Sequence, residues 1–273
     1  MAPAITLDHT LPPVVPESNQ TPATAPTNTL FSLAGRTVVI TGGGRGLRND
    51  PDNRQEWIAV QKLATSKGLQ ATYTRCDITD EEATKGLLEN IAEESKARNM
   101  PLRGLITCAG IQQMVPALDY PVDGYRKMLD VNVLGTFIPA KHFSRILVEQ
   151  KTPGSIVMIA SMSGQIANRG LTCTAYNSSK AAVHQMCRSV AQEWGQYNIR
   201  VNTLSAGYIR TAMTDALLKE KPEVEETWMC GALLGRLGAP EDFKGPTIYM
   251  LTDASAWMTG ADLRVDGGHC ASA

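Results

Sequence analysis

Short apolar runs rich in Val, Ile and Thr recur along this chain at 37–40, 70–76, 104–108, 155–160, 199–204 and 262–265. Longer stretches with helical periodicity separate them, at 54–66, 80–97, 122–149, 175–196 and 240–251. This alternation leaves few folds open. Parallel strands need long crossovers, usually helices, and those helices cover the sheet faces. The expectation is an α/β fold with a doubly wound parallel sheet. Residues 208–236 fit neither pattern. They hold Met213, Leu217, Leu218, Trp228 and Met229, an apolar set expected to form a lid over a pocket; the alternative is a surface helix pair packed on the core.

A chain of 273 residues, 43% hydrophobic and 19% charged, has ordinary globular composition and the length of a single α/β domain, expected over 31–273. Residues 1–30 are rich in Pro and Thr and hold no Lys or Arg. They match neither a secretory signal nor a mitochondrial presequence and are expected to be a disordered arm. A net charge of -1 offers no attraction to nucleic acid or an anionic membrane, and no apolar run approaches the ~18 residues of a membrane span. Six cysteines without a C-x-x-C pair favour free thiols in a reducing, cytoplasmic setting. The four histidines lack ligand spacing, so no metal is expected.

Chemistry concentrates in three places. Thr37-Val38-Val39-Ile40 leads straight into Thr41-Gly42-Gly43-Gly44-Arg45-Gly46-Leu47. Glycine is needed where a backbone turns tightly and a pyrophosphate must approach it, and the freed amides then face the phosphates. Tyr176-Asn177-Ser178-Ser179-Lys180 opens a helical stretch; a spacing of four puts Tyr176 and Lys180 on one face, where an ammonium favours the phenolate and suits the phenol to proton transfer. The run 155–160 ends in Ser161-Met162-Ser163-Gly164, and in an open α/β sheet the C-terminal strand ends line the ligand crevice.

Together these motifs resemble the short-chain dehydrogenase/reductase family. Thr41 to Leu47 is similar to its T-G-x-x-x-G-x-G loop, and Cys108-Ala109-Gly110 to its N-A-G turn, with Cys in first place. Asp130-Val131-Asn132-Val133-Leu134-Gly135 resembles its helix-asparagine motif. Ser205-Ala206-Gly207-Tyr208-Ile209-Arg210-Thr211 resembles its P-G segment, with Ala206 replacing Pro, and Asp266-Gly267-Gly268 closes the last strand as relatives do. The resemblance covers 31–47 and 54–270. Ala160-Ser161-Met162-Ser163-Gly164 and the continuation to Asn168 look like the fungal mannitol, arabinitol and sorbose reductase branch.

The resemblance implies a Rossmann-like sheet and hydride transfer between a nicotinamide cofactor and a ketone or secondary alcohol: a polyol, a ketose or a secondary-metabolite intermediate. Tyr176 would deliver the proton, Lys180 would tune it and hold the ribose, Ser161 would orient the carbonyl with Ser163 as the fallback, and Asn132 would support a water relay. Cofactor contacts would come from Thr41, Gly42, Arg45, Gly46, Leu47, Asp77, Ile78, Ala109, Gly110, Asn132, Tyr176, Lys180, Ile209 and Thr211. Arg45 stands where relatives often place a basic residue on the extra phosphate, so NADP(H) is expected over NAD(H). The partners expected are a small carbonyl or alcohol substrate and further copies of the chain, in a homotetramer.

The chain departs from the family after Leu47. Arg48 replaces the last glycine, and Asn49-Asp50-Pro51-Asp52-Asn53 follows where relatives continue into a helix and a second strand. One strand and one helix fewer than usual are therefore expected. An empty interior slot would leave ladder groups unmet at ~1–3 kcal/mol each, so 70–76 is expected to move in beside 37–41, with 54–66 as a right-handed crossover. The alternative is a poorly ordered region. Two functions compete: an active reductase, favoured by the intact Ser-Tyr-Lys-Asn set, and a catalytically impaired or cofactor-free binding protein, favoured by the damaged phosphate loop.

Overall fold

The structure is a computed structural model that describes residues 27–43, 51–220 and 222–272. Residues 1–26 of the expected arm lie outside these, and Thr27–Leu30 at its end form a helical turn, α1. Five strands follow: β1 (Thr37–Thr41), β2 (Leu102–Thr107), β3 (Gly154–Ile159), β4 (Ile199–Ala206) and β5 (Asp262–Val265). All pairs are parallel and the strands stand in chain order. The crossovers carry α2 (Pro51–Ser66), α3 (Glu81–Ala97), α4 (Val122–Leu129), α5 (Gly135–Glu149), α6 (Thr174–Trp194), α7 (Ala212–Glu220), α8 (Pro222–Cys230) and α9 (Lys244–Leu251).

Consecutive strand side chains point to opposite faces, and the core divides accordingly. Leu105, Ile156, Met158, Ile199 and Val201 pack with Phe143 and Leu147 of α5 and with Val183 and Cys187 of α6. Ile106, Val157 and Leu204 pack on the other face with Met250 and Leu251 of α9. Arg200 ties that second layer down, donating to the carbonyls of Met250, Thr252 and Met258 and to Ser255 Oγ. Its burial lowers the guanidinium pKa to about 10. No helix among the described residues is long and apolar enough to cross a membrane.

One expectation fails. Residues 70–76 form no strand, and among the described residues β1 pairs with β2 alone, at an edge of the sheet. The premise of an empty slot does not hold, because among the described residues no strand lies beyond β1 to enclose one. Ile40 is 56% exposed, so the outer ladder groups of β1 stay near water and carry little of the penalty that burial would impose. A strand-forming run without a covered face to fill has little to hold it in a sheet. Helix α2 shares this openness: Ile58, Val60 and Leu63 are all exposed.

The 208–236 segment is two helices, α7 and α8, gathered on a small core of their own. Leu218, Trp228 and Leu237 are buried there against Leu171, Tyr208, Val224 and Met229. The rings of Tyr208 and Trp228 stack at 4.1 Å with 5° between planes. The side chains of Met213 and Leu217 lie outside the described ones.

Candidate active site

The strand ends bring Thr41, Gly42, Ala109, Gly110, Asn132, Ser161, Tyr176 and Lys180 towards one end of the sheet. Gly42, just past β1, has φ +76°, and a Cβ there would stand 2.5 Å from the Ala109 nitrogen. Only glycine permits this backbone-to-backbone approach. Thr41 Oγ1 accepts from Ala109 N at 3.4 Å, so β1 and β2 end in one joined rim. The described part of the loop thus has the close, side-chain-free rim that a phosphate-bearing cofactor requires. Arg45, Gly46 and Leu47 lie outside the described residues.

Behind that rim stands Asn132, fully buried in a π-turn, Asp130–Leu134, between α4 and α5. Turns of this kind are frequent at functional sites. Asn132 Oδ1 accepts from Ile111 N at 2.8 Å, and Nδ2 donates to Ile111 O at 3.0 Å and to Ser179 Oγ at 2.9 Å. Ser179 Oγ in turn donates to the carbonyl of Tyr176 at 2.7 Å. The asparagine therefore clamps the turn after β2 to the start of α6. A Cβ on Gly110 would lie 3.3 Å from Asn132 Oδ1 and 3.9 Å from Lys180 Nζ, so these three residues converge.

Lys180 is buried, and Nζ donates to Ile159 O at 2.7 Å. The ammonium lies 5.7 Å from the centre of the Tyr176 ring, which is half-buried. One turn of helix sets this spacing, and the carbonyl at the end of β3 fixes the ammonium. Ser161, separated from the end of β3 by Ala160, caps the turn Met162–Gly164, its Oγ accepting from Ser163 N at 3.1 Å. That acceptor role leaves the hydroxyl hydrogen for a ligand oxygen. Gly164 is forced by the same packing, since a Cβ there would sit 2.7 Å from the backbone of Lys180 and Ala181.

The remaining candidates are more dispersed. Asp77 Oδ1 accepts from Thr79 N and Oγ1, ordering the turn before α3. Ile78 packs against Gly135 just after the π-turn. Ile209 bridges to Gly238. Thr211 is exposed and bonded to Thr214. Asn168 Nδ2 donates to the Tyr208 hydroxyl at 3.0 Å, joining the loop after β3 to the α7–α8 unit. Burial pushes that phenol's pKa up.

The sequence reading passed over Ser179 and His184. Tyr176, Ser179, Lys180 and His184 stand at i, i+3, i+4 and i+8 along α6, but the groups that bond Ser179 and His184 come from other elements and are not visible in that period.

A family model described as enoyl-(acyl carrier protein) reductase matches residues 46–269. A protein of Aspergillus versicolor named short chain dehydrogenases/reductase notP' is 43% identical over 264 residues, covering 88% of this chain and 89% of that one. A D-arabinitol 2-dehydrogenase (ribulose-forming) of Candida tropicalis is 38% identical over 268 residues, covering 88% and 94%. The crystal structure of an NADPH-dependent 3-quinuclidinone reductase from Rhodotorula rubra superposes with a TM-score of 0.77 at 31% identity, covering 92% of this chain and 99% of that one.

Proposed function

The chain belongs to the short-chain dehydrogenase/reductase family, and we propose that it interconverts a ketose and a polyol, or a ketone of similar polarity, using NADP(H). The observation that carries this reading is the convergence of Lys180, Asn132 and Gly110 behind Tyr176. In the reductive direction Ser161 donates its hydroxyl hydrogen to the substrate carbonyl and orients it. Tyr176 transfers its phenolic proton to the same oxygen. Lys180, held by the Ile159 carbonyl, stabilises the phenolate that results. Asn132 fixes the turn at Ile111 and the start of α6, which keeps these groups in register.

Thr41, Gly42, Ala109 and Gly110 would hold the cofactor, together with Arg45, Gly46, Leu47, Asp77, Ile78, Ile209 and Thr211. A bound nicotinamide cofactor supplies or accepts the hydride; placement and electrostatics belong to the chain. NADP(H) is favoured because Arg45 and Arg48 offer bidentate partners to a 2′-phosphate. The place of β1 at the edge of the sheet among the described residues, together with the departure from the family's loop after Leu47, supports a second reading, a binding protein with weak or no turnover.

The test is a titration with NADPH and NADH by calorimetry, followed by assays on ribulose, xylulose and tagatose. Weak NADPH binding with ketose turnover is the expected result. Sub-micromolar NADH binding overturns the cofactor assignment, and cofactor binding without turnover of any carbonyl moves the function to the second reading.

A further inference from the structure

Beneath the Ser161 turn lies a buried polar network. His184 is 5% exposed, on the same face of α6 as Tyr176 and Lys180. Its Nε2 lies 3.2 Å from Ser161 O and 3.3 Å from Ser205 Oγ. Its Nδ1 lies 3.4 Å from Thr203 Oγ1 and 3.6 Å from Asp262 Oδ1. Thr203 Oγ1 and Ser205 Oγ each donate to Asp262 Oδ1 at 2.7 Å. Gln165 Nε2 donates to Asp262 Oδ2 at 2.6 Å, and Arg264 holds the other end of that amide at 3.1 Å.

The proton assignments follow from chemistry. A carbonyl only accepts, so a hydrogen bond to Ser161 O requires the hydrogen on Nε2. Both hydroxyls flanking the ring are oriented by one carboxylate, a hydroxyl beside each nitrogen, which fixes the plane of the imidazole. The turn also rests on this ring: a Cβ on Gly164 would stand 2.8 Å from His184 Cδ2.

We infer that His184 is a positioning residue for Ser161: Asp262 orients the imidazole through Thr203 and Ser205, and the Nε2–H holds the Ser161 carbonyl so that the serine hydroxyl faces the substrate. This rests on the assignment of Ser161 above. Within the turn the Ser161 carbonyl accepts from Gly164 N at 3.0 Å, a bond that holds the turn together but does not tie it to α6. The histidine adds a second bond to that carbonyl from the helix that carries Tyr176, so one rigid element sets the distance between the orienting hydroxyl and the proton donor.

Two amides separate this role from general packing. Glutamine reaches the position of Nε2 and asparagine only that of Nδ1. His184→Gln is expected to keep kcat within about threefold. His184→Asn is expected to lose about tenfold to a hundredfold in kcat, the scale of a small misplacement, with NADPH affinity unchanged. Parental kcat in His184→Asn, or equal losses in both variants, overturns the inference. A measurement on the unaltered enzyme guards against a variant that does not fold. Nitrogen-15 spectra of labelled histidine, with His184 assigned from its loss in His184→Gln, are expected to show a hydrogen on Nε2, and a ring protonated on Nδ1 alone overturns the inference. Ser161→Ala separates the two levels: full activity there refutes the Ser161 assignment itself, whereas an inactive Ser161→Ala beside a fully active His184→Asn refutes only the role of His184.

Discussion

At the residue scale, the proposed reaction divides labour between groups that would touch substrate and groups that hold them. Tyr176→Phe removes the proposed proton donor while leaving ring and packing in place. Ketone reduction is expected to fall by ~10²–10⁴-fold with NADPH binding nearly intact, measured by steady-state kinetics and calorimetry; a fully active variant would show that the proton comes from elsewhere. The thiols give an independent check on the surroundings. Burial pushes Cys187 up to about 12 and also raises Cys173, whereas Cys108 and Cys230 are exposed. Only the thiolate reacts, so alkylation at pH 8 should reach Cys108 and Cys230 first. Mass spectrometry of partially labelled protein reads the order, and early labelling of Cys187 would contradict the packing of α6 on β4. Tyr176 and Lys180 were legible from spacing. His184 was not, because its partners come from β4 and β5, far away in sequence, and only the fold collects them.

At the element scale, five of six expected strands formed because each met partners on both sides or a covered face. The exception, 70–76, shows why: Thr72, Tyr73 and Thr74 favour a strand, yet all three are exposed and propensity alone does not supply a neighbour. The α7–α8 segment was equally ambiguous, since its apolar residues fit a lid or a packed pair. Its small core argues for a unit that docks as a whole through Trp228. Trp228→Ala is expected to cost about 3–5 kcal/mol at that site. Because this cluster is separate from the two sheet cores, the loss should appear as faster hydrogen exchange across 212–230. Unchanged exchange there, with a lower global midpoint instead, would mean that the cluster belongs to the main core.

At the scale of the whole molecule, the helices that build the site also carry apolar surface that the chain does not cover. Leu134, at the end of the π-turn, is 48% exposed, and Leu118 and Val122, just before and at the start of α4, are exposed as well. Apolar surface on a helix already buried on its other side calls for a partner. The expected state is a homo-oligomer, a tetramer by the family's habit, and light scattering at micromolar concentration checks it; a monomer would contradict it.

The order of the strands sets an order of loss. With the row running β1 to β5, β1 can detach without breaking any other pair, whereas β2, β3 and β4 each hold two neighbours. Thr41 and Gly42, which form the proposed cofactor rim with Ala109, leave with it. In rising urea, NADPH-dependent activity should therefore vanish while the far-ultraviolet helix signal and Trp fluorescence still report a folded chain. Saturating NADPH should draw the two transitions together, because a ligand that binds only the closed rim stabilises it by mass action. Coincident transitions without NADPH would mean that the edge strand is held as firmly as the middle of the sheet.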